Sequence, residues 1–315
     1  MAQSAPVKTS DFSGFVPAEQ AGPIFEKAAQ MSVVQQLVPR VPLGLTGTSI
    51  PVITGLPSAG WVDEGDTKPA SAGSMTLKTL TPKKLAAIMV TSAEVVRLNP
   101  AQFIDQMTNS FARTFALAFD RAALHDQGPD GTGGGGPFAT FLDQTTKAVE
   151  IGGSSQALGG IHGDLVSALD LLVSDTDANG FPYECNGYAL DSSLEPNLWG
   201  ATTTAGQPLY TDLPTGDVDA MTQGRLLGRR AYIRAGVATA GASTVVGYAG
   251  DWSQAAWGAI GGISYRISTE APVTINGSLV SAFEKNLVAI LAEAEYGFIV
   301  NDTDAFVRLT NATGS

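Results

Sequence analysis

The chain has 315 residues, of which 44% are hydrophobic and only 15% charged, and its formal net charge is −12. That length can bury a sizeable core in one to three domains, and so little charge fits a surface partly covered by subunit contacts, whose centres are depleted of charge. With 18 basic residues against 30 acidic ones, the balance argues against a protein that grips nucleic acid through its phosphates. Cys185 is the one cysteine, so no disulfide forms within the chain and a reducing cytoplasm is the expected place of synthesis. The polar start MAQSAPVKTS has no apolar signal core behind it. Apolar runs such as LVAILA at 287–292 are far too short to span a bilayer, so no membrane is expected. The Asn-x-Ser/Thr matches at Asn276, Asn301 and Asn311 then carry no glycosylation meaning.

In chain order, residues 1–48 hold Pro6, Pro17, Pro23, Pro39 and Pro42 and read as an extended arm with one short helical candidate, Pro23–Val38. Residues 49–92 read as β. SIPVIT and the alternating stretch LKTLTPKKLAAIMVTS are two long strands joined by the polar loop GWVDEGDTKPASAGSMT, a hairpin that needs another surface to cover it. Residues 99–127 predict a helix, capped by Asn99 with Pro100 in its first turn and ended by Gly128 and Pro129. Phe103, Met107, Phe111 and Phe115 step by four along one stripe, with Leu124 further on. At 1.5 Å per residue this spine is roughly 40 Å long.

Gly128–Gly136 is a glycine-rich break. In 137–248, GDLVSALDLLV and DSSLEPNLWG look helical, CNGYALD and ASTVVGYAG like strands. Beyond 249, WGAIGGISYRIS and GFIVNDTDAFVRLT read as strand pairs, and AFEKNLVAILAEAEYG as a long strand with a short helical start. The expected class is α+β. Residues 49–127 (hairpin 49–98, spine helix 99–127) and the returning strands 249–315 form one body, and 128–248 is a second domain inserted between them.

Candidate chemistry is sparse. GTGGGG at Gly131–Gly136 formally fits G-x-G-x-x-G, but a helix precedes it where the dinucleotide fingerprint requires a strand. DTDANG at Asp175–Gly180 opens like a calcium loop, yet Asn186 stands where a bidentate Glu is required and Pro182 interrupts it, so a plain turn is expected. His125 and His162 with one Cys make no zinc site, and there is no G-x-S-x-G elbow or phosphate-binding loop, so both histidines read as ordinary polar residues. Trp61, Trp199, Trp252 and Trp257 read as packing residues in the core or at contacts. No cofactor or metal is expected.

The order of arm, long hairpin, spine helix, inserted domain and returning strands resembles the Hong Kong 97-type major capsid proteins of tailed bacteriophages. WVDEGDTKP at 61–69 followed by VTSAEVV at 90–96 resembles that family's extended loop and its return into the spine helix. GYAGDWSQAAWGAIGGISYRIS at 247–268 and AFEKNLVAILAEAEYGFIVNDTDAFVRL at 282–309 resemble its Gly-Asp return and C-terminal strands. The resemblance covers most of the chain and is weakest in 137–245. It implies an axial domain around five- and six-fold axes, a peripheral domain, and a loop and arm reaching over sister subunits. It implies pentamers and hexamers closing an icosahedral shell, with double-stranded DNA enclosed but not specifically bound. The implied setting is the virion, assembled in the bacterial cytoplasm, with a portal and scaffolding or decoration proteins as further partners. The prototype's long, proteolytically removed leading domain has no counterpart here, so scaffolding is expected to be a separate protein or absent.

The family prototype also cross-links itself: a loop lysine attacks a neighbour's asparagine with help from a glutamate. The matching positions here are Lys68, in Lys68-Pro69 four residues after Glu64; Asn286, in Lys285-Asn286; and Glu293, seven residues after Asn286. The resemblance implies nucleophile, acceptor amide and general base in that order. The chemistry requires a deprotonated amine, and a lysine near its usual pKa of ~10.4 becomes one only when desolvated beside a proton acceptor. Two rival readings are an encapsulin-like cage around cargo enzymes, and a soluble hydrolase with its site in 137–248.

Overall fold

The computed structural model describes residues 31–98, 103–155, 159–202, 222–239, 245–275 and 278–311. The expectations for most of the arm, for Asn99 and Pro100, and for the side chain of Phe103 lie outside the described residues. In chain order the first half contains α1 (Val33–Leu37), β1 (Thr48–Gly55), β2 (Ser74–Leu80), β3 (Lys83–Ser92), α2 (Ala93–Leu98), α3 (Phe103–His125), β4 (Ala148–Ile151) and α4 (Ile161–Val173). The second half contains β5 (Gly187–Leu190), α5 (Glu195–Trp199), β6 (Thr222–Leu226), β7 (Arg229–Ile233), β8 (Val245–Gly250), β9 (Ala255–Ser268), β10 (Pro272–Ile275), β11 (Ser278–Ser281), β12 (Leu287–Val300) and β13 (Phe306–Asn311).

Two sheets and the spine helix make the body. An antiparallel sheet of order β3-β12-β9 lies against α3. Because strand side chains alternate between faces, the even residues of β12, from Val288 to Val300, are all buried toward the helix. The four-residue stripe of α3 meets them: Met107, Phe111 and Phe115 are buried, and the Phe119 ring lies 5.2 Å from Tyr296 and 6.2 Å from Phe298. The second sheet has order β4-β13-β8-β5-β7-β6. Its central strands, β5 and β8, are apolar or glycine throughout and buried at every position, as strands covered on both faces must be.

Several local expectations change. LKTLTPKKLAAIMVTS is not one strand: it breaks at Thr81-Pro82 into β2, which pairs with β1, and β3, which pairs with β12. Proline has no N–H for a ladder, so the chain changes sheets there. WGAIGGISYRIS is not a strand pair but part of the single strand β9, whose register against β12 shifts between Glu293 and Glu295. Gly261, at φ +62°, supplies the left-handed residue of that bulge, so the Gly-Gly pair bends a strand and does not reverse it. α3 ends at His125, before Gly128, because Asp126 already turns left-handed at φ +55°. The start of β12 is a turn through Phe283–Asn286, not a helix. Residues 306–311, grouped by sequence with the returning strands, form β13 between β4 and β8 of the six-stranded sheet.

The hairpin root is fixed by a flat patch on the three-stranded sheet. Gly258 and Gly297 are register partners, and a Cβ on Gly297 would come within 2.9 Å of Leu80, while one on Gly258 would come within 2.9 Å of Leu43. The two glycines let Leu80, at the end of β2, and Leu43, in the last part of the arm, lie directly on the sheet. The arm segment is further held by Trp257 N–H to Pro39 O at 3.2 Å and Val41 N–H to Trp257 O at 2.8 Å.

Candidate inter-subunit site

From this root the hairpin runs outward as a two-stranded ribbon. β1 and β2 pair from Thr48–Leu80 to Gly55–Ser74. The loop beyond keeps the register: Ser58 N–H donates to Ser71 Oγ at 2.6 Å, Pro69 packs over Gly60, and Asp66 N–H donates to Asp63 O at 3.1 Å. The tip is therefore the turn Asp63-Glu64-Gly65-Asp66, with Gly65 at φ +95° in the third position, as a type II turn demands. The same register sets Trp61 opposite Lys68. At roughly 3.3 Å per residue the ribbon reaches about 50 Å from its root to its tip.

Every residue from 56 to 77 is exposed. Ile53–Met75 and Pro51–Leu77 are cross-strand pairs, so Met75, Leu77 and Ile53 form one apolar face on the open ribbon. Trp61 is as exposed as an isolated tryptophan, at 105% of the reference area. A lone two-stranded ribbon with apolar side chains in water is marginal at best.

The three sequence-predicted residues are not brought together within one chain. Lys68, near the ribbon tip, makes no hydrogen bond or ion pair among the described residues. Asn286 is exposed at φ +52°; its carbonyl accepts Ala93 N–H at 3.0 Å, and its side-chain amide meets no described partner. Glu293 sits on the sheet face away from α3, and its carboxylate is 2.6 Å from Lys84 Nζ. Along β12 the six residues from Leu287 to Glu293 cover about 20 Å at strand rise, so Asn286 and Glu293 of the same chain cannot serve one bond.

Two buried polar clusters were not foreseen. His125, expected as an ordinary polar residue, is buried, with its Nδ1 2.9 Å from Asp143 Oδ2 and its Nε2 2.6 Å from the Val237 carbonyl. Tyr248 donates to Asp143 Oδ1 at 2.6 Å. Burial pushes the Asp143 carboxyl up, but the hydrogen bonds from His125 and Tyr248 and the charge of His125 outweigh it and hold the group below its usual value. His162 lies in the first turn of α4. In the second cluster the buried Asp120 of α3 accepts from Ser32 Oγ at 2.5 Å, Val33 N–H at 3.0 Å and Val34 N–H at 3.2 Å. Both clusters join residues far apart in sequence, and no local pattern announces them.

Of the other motifs, Gly131–Gly136 forms a loop with Gly128 N–H bonded to Thr132 O at 3.0 Å. DTDANG is a turn in which Asp177 accepts the amides of Asn179 and Phe181, each at 2.9 Å. Trp252 and Trp257 are core residues, whereas Trp199 is exposed with Trp61.

An exposed ribbon on a helix-backed sheet, with a second sheet beside it, is a subunit with apolar surface left for another molecule to cover. Comparison with known proteins says of what class. The model of the phage capsid family matches residues 13–311. Probable major capsid protein gp17 of Mycobacterium phage D29 is 39% identical over 315 residues, covering 98% of this chain and 94% of that protein. Its namesake in Mycobacterium phage L5 is 40% identical over 312 residues, covering 96% and 91%. Among solved structures, one from Gordonia phage Cozz superposes with a TM-score of 0.71 at 22% identity, covering 90% of this chain and 87% of that one. The chain belongs to the phage capsid family and has the Hong Kong 97-type fold. It is a major capsid protein of a phage head, a structural component of the virion.

Proposed function

We propose that this chain assembles as pentamers and hexamers into an icosahedral head that encloses double-stranded DNA without binding it specifically. The observation that carries this reading is the ribbon: 22 consecutive exposed residues, 56–77, reach away from the body with apolar side chains uncovered. Laid on sister chains, the same residues would be buried. A solved structure titled as the capsid of an empty GTA particle computed with C5 symmetry shares the fold, with a TM-score of 0.63 at 17% identity over 90% of both chains, and this supports fivefold packing. The charge of −12 suits a shell that holds DNA without gripping it. Residues 128–248, completed by β13, are the axial unit around the symmetry axes; α3 and the sheet β3-β12-β9 are the peripheral unit. Assembly takes place in the host cytoplasm, with a portal and scaffolding or decoration proteins as partners.

The cross-link belongs to the same proposal. Lys68 Nζ attacks Asn286 Cγ, the new C–N bond forms, and the side-chain nitrogen of Asn286 leaves as ammonia. Glu293 takes the amine proton and returns it to the leaving nitrogen. Since Asn286 and Glu293 of one chain stand about 20 Å apart along β12, three copies contribute one residue each. No bond can form before assembly.

Electron microscopy of the purified protein tests the shell: closed particles with five- and sixfold clusters are expected, and a monomer or dimer at every concentration contradicts it. On a denaturing gel, assembled wild-type shells should give a covalent ladder that Lys68→Arg removes. A ladder that persists in this variant refutes the assignment of Lys68.

A further inference from the structure

The β6–β7 hairpin is a basic spot on an acidic chain. The sequence 220–250 contains no Asp or Glu, while Arg225, Arg229, Arg230 and Arg234 all fall on the hairpin or just after it. Two of the four are held inside. Arg229 Nε donates to the Cys185 carbonyl at 2.6 Å, and Arg234 is buried with its Nη1 3.9 Å from Asp120 Oδ2. Arg225 and Arg230 are exposed, and neither makes a hydrogen bond or ion pair among the described residues.

These two are register partners across the hairpin. Partners in an antiparallel pair project from the same face with Cβ atoms about 5 Å apart, and like charges so placed repel. The turn between them fixes the spacing: Leu227 and Gly228 take φ +51° and +76°, both left-handed, as a two-residue type I′ turn requires. Toward the middle of the sheet the partner of Arg230 is Gly187, which has no side chain. The next pair on the same face, Gln223 and Tyr232, carries no charge. β6 is the last strand of its sheet, so among the described strands the row ends at Arg225. The row holds two guanidinium groups and no carboxylate.

A like-charge pair held in place by the fold is completed by an anion with several oxygens and more than one charge. A single carboxylate neutralises one arginine of the two. Successive phosphates of a nucleic-acid backbone neutralise both, and each offers two oxygens to a guanidinium fork. We propose that Arg225 and Arg230 form a phosphate-binding point through which each chain touches the backbone of the enclosed duplex DNA. This rests on the shell reading above and adds a contact to it. Backbone contacts carry no sequence information, so the DNA is still not selected. Two free cations on a chain of net charge −12 tether the duplex without wrapping it.

The test titrates full-length subunits, dissociated from shells, into a short fluorescent duplex of mixed sequence and reads anisotropy at rising salt. Wild type should bind with a log–log salt slope of about 2, and a second duplex of scrambled sequence should bind equally. Arg225→Gln with Arg230→Gln should weaken binding roughly tenfold and raise the melting temperature, because the repulsion is gone. Arg225→Lys with Arg230→Lys should keep the salt slope. No binding by wild type, or equal binding by the glutamine variant, overturns the proposal. So does a glutamine variant that melts lower, since the arginines would then be structural. Binding of inorganic phosphate without binding of the duplex overturns the DNA assignment. Electron microscopy of both proteins keeps the shell reading separate. Variant shells with duplex binding lost support the proposal. Shells lost with duplex binding intact would mean that the arginines serve a sister chain, and the proposal falls while the shell reading stands. A wild type that forms no shells removes the enclosed duplex, and the proposal falls with it.

Discussion

Ser32 donates its hydroxyl proton to Asp120 across 88 positions of sequence, at 2.5 Å, and that contact ties the arm to the C-terminal part of the spine helix. Asp120 is wholly buried, and burial raises its carboxyl pKa against the opposing charge of Arg234 and the hydrogen bonds from Ser32, Val33 and Val34. Asp120→Ala leaves two amides of the α1 turn and the Arg234 side chain without this partner. Breaking such a buried pair costs about 3 kcal/mol. Thermal denaturation should show the loss, and limited proteolysis should cut the variant within 31–38, where the wild type resists. An unchanged melting profile would contradict the role.

The Asp143 cluster sets an acid limit. Its folded pKa lies below the unfolded value of about 3.9, so its contribution is complete above that value and fades as pH falls through the depressed folded pKa. Asp120 has the opposite sign: its raised folded pKa gives a contribution present below about 3.9 and lost as pH rises through the folded value. Asp143→Asn should therefore be less stable than wild type at neutral pH, with the gap narrowing below about pH 4. Denaturant titrations at pH 3 and pH 7 measure it, and an equal gap at both would count against the assignment.

Lys84 competes for the proposed general base, because its amine holds the Glu293 carboxylate at 2.6 Å. Lys84→Met should speed ladder formation in assembled shells, while Glu293→Gln should stop it. A slower ladder in Lys84→Met would mean that the ion pair positions Glu293 and does not restrain it.

The bulge in β9 makes neighbouring glycines unequal. A β-branched residue at Gly261 must adopt φ +62°, at a cost of about 1–2 kcal/mol, whereas Gly262 has a negative-φ backbone and open space for a Cβ. Gly261→Val should lower the melting temperature and Gly262→Ala should not. Equal losses would show that the bulge does not depend on Gly261.

What was legible in the sequence was what local pattern encodes. Fourfold spacing of Met107, Phe111 and Phe115 gave the spine helix, whereas AFEKNLVAILAEAEYG, ambiguous by periodicity and read as a long strand, supplies most of β12. The polar loop between two strands gave the ribbon. Thr81-Pro82 was read through because alternation continues on both sides, although the two strands enter different sheets. Gly261-Gly262 looked like a turn because a bulge and a hairpin both draw on glycine's left-handed freedom. The His125–Asp143–Tyr248 cluster was invisible because its members come from three distant elements. So was the role of Lys84, which depends on the β3–β12 register and not on any neighbour in sequence.

Hydrogen exchange along the ribbon amides tests the central claim most directly. If 56–73 gains its cover from sister chains, these amides exchange quickly in dissociated subunits and become strongly protected in intact particles, while β12 is protected in both. Equal protection of the ribbon before and after assembly would show that it needs no neighbour, and the account would fail.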